Sequence, residues 1–386
     1  MKKHFESNIK MSISKAQHFF ERNVREISDE SNRILYGFPE IEGRERITEW
    51  GATSAALAAI NKIGVSSSEI QSKFYKARKW LISEQRNGGW EASGIYSAEA
   101  TAGVMVDLCS MNALDAKSMS LGIDFLKRCY RNGYYLSTPT STGKPHIFPT
   151  FIVMKCLDRF SQLEHKSEIR QWILSSQTSN GRWGQMPNSN VETFVHTAFA
   201  LNILHFCGAS WEEIRNNYEN QIKWIFRNIN NLGYTYEEIE VIQPQSDKVG
   251  RQYKRLRLRH FALPLIGHLF MEMGNTQMAL HIARKIVSQQ FNGGWGPSKD
   301  ELTMWATYQA IEYLESIKTR TVPSLTNFSY LSSYFSAIPF VVVKSIVSMI
   351  GILLIAIFLL KPNYRPNILV GLFVVIAPWI FKVNKT

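Results

Sequence analysis

Three fragments of this chain repeat one pattern, a Gln followed within a few residues by Gly, any residue and Trp. They read QRNGGW at residues 85–90, QTSNGRW at 177–183 and QFNGGW at 290–295. A helix-like stretch precedes each fragment and another follows it. Such a recurring helix–turn–helix unit indicates a repeat architecture, in which each unit buries its apolar face against its neighbours.

Weaker copies of the turn lie between these fragments, and together they give six turns spaced roughly 45–60 residues apart, as expected for units of two helices. The turn glycines are Gly37, Gly89, Gly133, Gly181, Gly233 and Gly294. A small-residue or apolar helix is predicted after each turn, at about 47–63, 97–112, 146–160, 191–207, 258–273 and 301–316.

The helix before each turn is more charged than the helix after it, as in 73–83 and 168–176. Helices buried all round are apolar all round, whereas surface helices are amphipathic. The apolar class is therefore predicted to line the inside and the charged class to form the outside. Six such pairs predict an all-α, closed (α/α)6 toroid, in which the last pair packs on the first.

The turn residues have physical roles in such a scaffold. Gly permits positive φ and ends a helix at low cost. A Gln amide has enough donors and acceptors to bind free backbone groups at helix ends, and Trp gives the next helix a large apolar surface to pack on. Structural roles are therefore predicted for Gln85, Trp90, Gln177, Trp183, Gln290 and Trp295.

These three motifs resemble the QW repeats of the terpenoid cyclase and protein prenyltransferase superfamily, which includes squalene–hopene cyclases. The resemblance covers roughly residues 30–316. It implies an α-α toroid with a central apolar cavity that holds a polyprenyl chain, and it does not fix the reaction.

One departure from that family concerns the proton donor. Its cyclases carry Asp-x-Asp-Asp-Thr-Ala, whose middle Asp protonates an alkene or epoxide, and they use two toroids. This chain is long enough for one toroid. Its segment most similar to that motif is Ser97-Ala98-Glu99-Ala100-Thr101-Ala102. The resemblance therefore places Glu99 at the protonating position, without the flanking acids.

A second departure concerns zinc, which the prenyltransferases hold with Asp, Cys and His on late repeats. The late helix here reads ELTMWATY at residues 301–308, without Cys or His. No metal and no cofactor are predicted, and the zinc-dependent lanthionine-synthetase toroids are disfavoured for the same reason.

The starts of the inner helices are predicted to meet at one mouth of the ring, and acids, histidines and aromatics recur there. Such a polar ring over an apolar pocket is typical of a ligand site. Glu99 is the candidate acid, with Glu192 or His196 as its hydrogen-bond partner. The candidate substrate-binding residues are Trp50, Tyr96, His146, Phe148, His260, Glu301, Trp305 and Tyr308.

The formal net charge is +12, and part of the excess is local. Such a cluster favours anionic lipid head groups, or a prenyl diphosphate at the mouth of the toroid. Nucleic acid is not predicted as a partner, because no recognised binding motif is present. The basic residues nearest the fifth inner helix are Lys254, Arg255, Arg257 and Arg259.

The C-terminus predicts a membrane anchor. Residues 338–360 are long and apolar enough to span a bilayer, with Lys344 near one end, and after a short polar loop residues 368–381 are apolar again. We expect a two-helix transmembrane hairpin at a cell membrane, with the toroid on the cytoplasmic side. A buried hairpin of the soluble domain is the alternative.

The predicted organisation is an N-terminal helical extension (1–30), the toroid (31–320), a linker (321–336) and the anchor (337–386). The N-terminus lacks the apolar run of a signal peptide. Four scattered cysteines without a CxxC pattern indicate reduced thiols in a cytoplasmic protein. They are Cys109, Cys129, Cys156 and Cys207.

The function expected from these observations is that of a membrane-anchored relative of terpenoid cyclases, acting on a polyprenyl or similar lipid by proton-initiated cyclisation. The first alternative is a non-catalytic toroid that binds a lipid or peptide and acts through its transmembrane hairpin. The second is prenyl-diphosphate transfer that uses the basic cluster.

Overall fold

The computed structural model describes residues 2–28, 32–92, 94–141, 145–187, 191–231, 236–245 and 252–319. Helices dominate these residues. They are α1 (Lys2–Asn23), α2 (Ser54–Ile63), α3 (Ser68–Ser83), α4 (Ala98–Ser110), α5 (Ala116–Arg128), α6 (Ile147–Arg159), α7 (Lys166–Ser175), α8 (Phe194–Phe206), α9 (Trp211–Asn217), α10 (Glu219–Asn231), α11 (Ala262–Glu272), α12 (Thr276–Ser288) and α13 (Met304–Thr319).

Six of the helices in the described ranges form a closed inner ring. Helix α2 packs on α4, α4 on α6, α6 on α8, α8 on α11, α11 on α13, and α13 returns to α2. The sequences of these helices are rich in small and apolar residues, as buried helices require. Helix α2, for example, has seven consecutive buried residues from Ser54 to Ile60. The inner helices predicted at 97–112, 146–160, 191–207 and 301–316 overlap these elements to within about three residues, whereas the helix predicted at 47–63 begins only at Ser54.

The remaining helices surround this ring. Helix α3 packs on α2, α5 on α4, α7 and α10 on α8, and α12 on α11 and α13. Helix α1 contacts α12, α13 and α2, so residues 2–23, expected as a separate extension, form the outer helix of the first pair. Its apolar residues explain this position, because Ile9, Ile13, Phe19 and Phe20 are buried.

Short antiparallel strands occupy the outer-to-inner turns, where the sequence predicted loops or helix. They are β1 (Arg25–Ser28), β2 (Ile34–Pro39), β3 (Ile47–Thr48), β4 (Trp90–Ala92), β5 (Ile95–Ser97), β6 (Tyr130–Arg131), β7 (Tyr134–Tyr135), β8 (Tyr236–Gln245), β9 (Gln252–Phe261), β10 (Trp295–Ser298) and β11 (Glu301–Thr303). They pair as β1–β2–β3, β4–β5, β6–β7, β8–β9 and β10–β11.

The three Trp residues of the motifs make the same pair of hydrogen bonds. Each indole Nε1–H donates to a carbonyl near the end of the preceding outer helix, that of Leu81, Ile173 or Ile286, at 2.7–2.8 Å. Each Trp backbone N–H donates to a buried Thr hydroxyl on the following inner helix. The Trp–Thr pairs are Trp90–Thr101 (3.0 Å), Trp183–Thr197 (3.3 Å) and Trp295–Thr307 (3.0 Å).

The Gln residues of the motifs connect neighbouring units. Gln85 Nε2 donates to the carbonyls of Gly88 (3.1 Å) and of Ser118 in α5 (2.9 Å). Gln290 Nε2 donates to Gly293 (3.0 Å) and to Ser12 of α1 (2.8 Å), which joins the last repeat to the first helix. In the second motif, Gln177 Nε2 and Gln221 Nε2 both donate to the carbonyl of Gly181.

Close packing explains the glycine in these turns. Gly293 has φ +85, and a Cβ there would collide with the backbone carbonyl of Lys15 in α1. Gly88 has φ +88 and approaches the carbonyl of Leu121 in α5 in the same way. Side chains are disfavoured at such positions both by the backbone conformation and by the neighbouring helix.

The described residues all belong to one compact unit, Met1–Thr321. None of the helices within the described ranges combines the length and the apolarity that crossing a bilayer requires. The predicted linker (321–336) and transmembrane hairpin (337–386) lie outside the described residues, so the hairpin stays a prediction.

Candidate active site

The inner helices turn one face towards the middle of the ring, and we call the space there the lumen. On α4 this face is marked by a stripe of residues that keep accessible surface while their neighbours are buried. The stripe has the spacing of one helical face and carries a carboxyl group at its amino end. Its members are Glu99, Gly103, Val106 and Ser110.

Glu99 lies in the first turn of α4, after Ser97, which caps the helix through the Ala100 N–H. Ser137 Oγ donates to Oε1 of Glu99 at 2.6 Å. The other oxygen, Oε2, is buried and has no hydrogen-bond partner among the described residues. Burial raises the pKa of Glu99, although the Ser137 bond opposes this shift. Burial therefore shifts the protonation equilibrium of this carboxyl group towards its neutral form.

The hydrogen-bond partner expected for Glu99 is thereby corrected. Glu192 instead accepts from Thr178 Oγ1 at 2.6 Å and from Arg182 at 2.7 Å, beside the second motif. Burial alone would raise the pKa of Glu192, but these bonds outweigh it and lower the pKa. An ionised, paired carboxylate at a turn is a structural group. The position of Glu192 near a helix start does not indicate that its carboxylate pairs with Arg182 of the preceding turn.

Aromatic side chains from the starts of α6 and α8 and from the segments just before α2 and α11 meet at the amino end of the lumen. The ring of Phe148, on α6, lies 6.4 Å from that of Trp50, 5.4 Å from Phe199 and 5.1 Å from His260, measured between ring centroids. Trp50, Phe148 and His260 each keep part of their surface accessible. These predicted residues are therefore brought together, and they present π faces and ring edges to the lumen.

Trp50 reaches the lumen because the chain before α2 is not a regular helix. Residues Glu49–Thr53 form a π-helical turn in which Trp50 has φ −87 and ψ 148, and Gly51 has φ +75. The indole lies directly against Gly103 on α4, where a Cβ would collide with it. The absence of a side chain at Gly103 therefore makes room for Trp50.

Three histidines surround the same end of the lumen. His196 is buried, its Nδ1 lies 2.8 Å from Thr193 Oγ1, and its ring lies 5.5 Å from that of His260. Burial lowers the pKa of His146 and of His196, and that of His260 to about 4. All three imidazoles are therefore neutral near pH 7, so His196 is not the charged partner of an acid.

The remaining predicted residues of the mouth lie further out. Tyr96 is 37% exposed on β5, and Glu301 lies on β11. Glu49, which directly precedes the predicted residue Trp50, accepts the Glu91 N–H at 2.7 Å, and burial raises its pKa to about 7. Trp305 lies in the first turn of α13 and keeps part of its surface accessible. Tyr96 and Glu301 thus belong to the rim and Trp305 to the inner helices.

Tyr308, a predicted substrate-binding residue, lies among polar residues of the inner helices that the sequence analysis does not single out. Its hydroxyl donates to Asp107 Oδ1 at 2.9 Å, and Lys62 Nζ lies 3.5 Å from Glu312 Oε1. We call this group the distal cluster. Its residues are Lys62, Asp107, Lys155, His268, Tyr308 and Glu312.

A signal for the distal cluster exists in the sequence. Lys155 follows Phe148 by seven positions, Glu312 follows Trp305 by seven, and Asp107 follows Glu99 by eight. Positions seven or eight apart share a helix face, so each residue lies on the same side as a predicted residue, about two turns further on. The acids, histidines and aromatics recur at the helix starts, so that recurrence alone does not point to residues two turns further on.

The predicted diphosphate or lipid-head-group residues lie on a strand. The inner helix expected at 258–273 begins only at Ala262, because residues 252–261 form β9, paired with β8. In this register Arg259 is opposite Glu238 and Arg257 is opposite Glu240. Lys254 and Arg255 are opposite Gln243 and Ile242 in the same register.

Comparison with solved structures identifies the fold. The type II terpene cyclase MstE from Scytonema in its apo form superposes with a TM-score of 0.50 and 13% identity, over 81% of this chain and 98% of that chain. A variant of MstE in complex with merosterolic acid A (product) gives 0.50, 13%, 82% and 98%, and a variant in complex with geranylgeranyl dihydroxybenzoate (substrate) gives 0.50, 13%, 80% and 97%. The chain therefore has a terpene cyclase-like fold.

Sequence comparison adds no assignment. The sequence matches no protein-family model and no curated protein.

Proposed function

We propose that this chain is a terpene cyclase-like enzyme in which Glu99 starts the cyclisation of a prenyl chain by giving it a proton. The observation that carries the proposal is the carboxyl of Glu99, which is buried and faces the lumen. One of its oxygens is bonded to Ser137 and the other has no partner among the described residues. A neutral acid whose proton is not given to a protein acceptor is suited to protonating an alkene.

The reaction follows from that geometry. The Oε2–H bond of Glu99 breaks, and the π electrons of an alkene form a C–H bond with the proton, which leaves a tertiary carbocation and the Glu99 carboxylate. A second alkene of the same chain attacks the cation and closes a ring. Loss of a proton to a base ends the sequence, so the overall reaction is an isomerisation. His260 is neutral near pH 7 and can accept that proton.

The surroundings of Glu99 support a cationic intermediate. Aromatic π faces attract cations, most strongly when water is excluded, and Trp50 and Phe148 line this part of the lumen. Neutral histidines add no positive charge to oppose the carbocation. Further along, Val106, Ile152 and Leu265 give the lumen apolar surface that suits an isoprenoid.

The test is to purify the full chain in mild detergent and to incubate it with linear polyprenyl lipids such as geranylgeraniol and geranylgeranoic acid. Products are separated by chromatography and identified by mass spectrometry. We expect a cyclised isomer of unchanged mass from the wild type and only linear lipid from Glu99→Gln. The control Glu6→Gln alters an exposed acid on α1 and should keep activity.

A second candidate function is a toroid that binds the lipid without changing it. The observation in its favour is that Glu99 is flanked by Ser97 and Ala100, so no second carboxyl beside it acidifies its proton. Tight binding of the linear lipid by both wild type and Glu99→Gln, with no isomer formed by either, would establish this function and end the cyclase proposal.

We also propose that residues 337–386 anchor the chain in a cell membrane as a two-helix hairpin, with the toroid on the cytoplasmic side. The support is the apolar composition of 338–360 and 368–381. A bilayer anchor suits an enzyme whose substrate dissolves in the bilayer. The full chain should remain in the membrane fraction after alkaline carbonate washing, and its release would contradict the anchor.

A further inference from the structure

The distal cluster is separated from Glu99 along the lumen. Asp107 follows Glu99 by eight residues in the same helix, which corresponds to about 12 Å at a rise of 1.5 Å per residue. Between these levels the partly accessible residues of α4, α6 and α11 are apolar or small, and α8 adds Asn202, whose side-chain amide donates to the Ala198 carbonyl. The apolar or small residues are Gly103, Val106, Ile152 and Leu265.

Most groups of the distal cluster have partners within the protein. Tyr308 bonds Asp107, and Lys62 pairs with Glu312. His268 is neutral near pH 7, because burial lowers its pKa to about 4. These groups therefore satisfy part of one another's hydrogen-bonding capacity and charge, as polar groups away from water require.

Lys155 is the exception. It is exposed, and it makes no ion pair or hydrogen bond with the described residues. It continues the face of α6 that carries Phe148 and Ile152, so its position lies on the lumen side of the helix. Its charge is the strongest of the charges that lower the pKa of Glu312, on the opposite helix α13, to about 2 against the effect of burial.

Three cationic groups, Lys62, Lys155 and, one turn beyond, Arg159, and three carboxyl groups, Asp107, Glu272 and Glu312, act at this level of the lumen. Burial raises the pKa of Asp107 to about 6, so this residue offsets less than a fixed negative charge. A Lys in the last turn of a helix is often explained by the helix dipole. The helix dipole alone does not explain why the charge of Lys155 acts on Glu312 and His268, which lie on other helices of the ring.

We propose that Lys155 binds the anionic head of an amphiphilic ligand, so that the lipid taken up by the lumen is an isoprenoid with a carboxylate or phosphate at one end. The apolar chain lies along the band between the distal cluster and the aromatic residues, and its far end meets Glu99. Arg159 provides a second cation one turn closer to the opening. The inference rests on the proposed function for the position of the lipid, and it concerns a site distinct from the acid.

The experiment compares ligands that share one chain and differ in the head. Geranylgeraniol, geranylgeranoic acid and geranylgeranyl monophosphate are titrated into the full-length chain in neutral detergent, and the fluorescence of the lumenal tryptophans is followed. A hydrogen-bonded ion pair of this kind corresponds to a preference of about tenfold to a hundredfold for a charged head over the alcohol. Tighter binding of the acid identifies a carboxylate ligand, and tighter binding of the phosphate a phosphorylated one.

Variants assign the preference to the residue. Lys155→Met keeps the length of the side chain and should abolish the preference, whereas Lys155→Arg should retain it. Lys117→Met removes an exposed lysine from the outer helix α5 and should behave as wild type. Glu99→Gln should also keep the preference, since the acid lies about 12 Å away along α4.

Three results would overturn the proposal: equal affinity of the wild type for the alcohol and the charged ligands, a preference that survives in Lys155→Met, or no binding of any of the three. The cyclase function is read separately from isomer formation by the wild type. A charge preference without cyclised product leaves the head-group site standing and rejects Glu99 as acid. Cyclised product without a charge preference supports Glu99 as the acid and rejects the head-group site at Lys155.

Discussion

Ser137 donates a 2.6 Å hydrogen bond to one carboxyl oxygen of Glu99, and the other oxygen is buried without a partner among the described residues. The bond comes from the segment after β7 and holds a side chain that begins on α4. An acid fixed by one oxygen leaves the other without a competing acceptor among the described residues. The contact therefore orients the group that the proposed reaction needs.

Removal of this bond should weaken the acid. Because the Ser137 hydroxyl lowers the pKa of Glu99, Ser137→Ala should raise that pKa further and slow proton transfer. We expect a loss of about 3- to 10-fold in the rate of isomer formation, as for one neutral hydrogen bond. Ser120→Ala, at an exposed position of α5, is the control. An unchanged rate in Ser137→Ala would show that the bond does not orient the acid.

The pH dependence of stability should reveal the protonated state of Glu99. Burial raises its pKa in the folded chain above the usual 4.5, so folding favours the bound proton. Wild type should therefore lose stability relative to Glu99→Gln as pH rises from 4.5 through the folded pKa, and the two should respond alike at lower pH. Urea unfolding between pH 4 and pH 9 measures this difference. Parallel curves over the whole range would exclude a raised pKa.

The close contact between Gly103 and Trp50 predicts a coupled effect. A Cβ at residue 103 would collide with the indole, so Gly103→Ala should displace Trp50 from Phe148 and cost about 1–3 kcal/mol of unfolding free energy. The same substitution in a Trp50→Ala background should cost much less, since the obstacle is gone. Chemical denaturation of the four proteins gives the coupling. Additive costs would mean that the two residues do not share this space.

The two Gln side chains that tie repeats together predict local effects on opposite sides of the ring. Gln290→Ala removes the bond to Ser12 and should speed amide hydrogen exchange in α1, whereas Gln85→Ala removes the bond to Ser118 and should speed exchange in α5. Each should lower the unfolding free energy by about 1–3 kcal/mol, for two lost hydrogen bonds. Each variant is the control for the other, and faster exchange in the same helix for both would contradict separate ties.

The repeat made the inner helices predictable, because an apolar segment that follows each Gly-x-Trp turn can be buried as a helix on the inside of a ring. The turn hairpins were not predicted, since two- to four-residue strands such as β4 and β7 are too short for a period of two to be visible. The start of α11 was predicted at residue 258, four residues too early. Leu256 and Leu258 alternate with arginines, and this alternation belongs to strand β9, which continues to Phe261.

The candidate site was predictable where a residue's role depends on its own helix. Glu99, Trp50 and Phe148 followed from their places at helix starts. The partners were not predictable, because Ser137 reaches Glu99 across 38 residues and Arg182 draws Glu192 away at a turn. Such pairings depend on distances between elements, which periodicity does not contain. Lys155 and Glu312 lie two further turns along the helix faces that carry Phe148 and Trp305.

Helix α1 has a consequence for synthesis of the chain. The contact that joins Gln290 to Ser12 spans 278 positions, so at about 5–20 residues per second the ribosome needs roughly 15 to 55 s to make the second partner after the first. During that interval the apolar face of α1, with Phe19 and Phe20, has no complete docking site. Until the last repeat is made, the ring is incomplete and the apolar surface of α1 stays partly exposed. We therefore expect chaperones to bind α1 during synthesis.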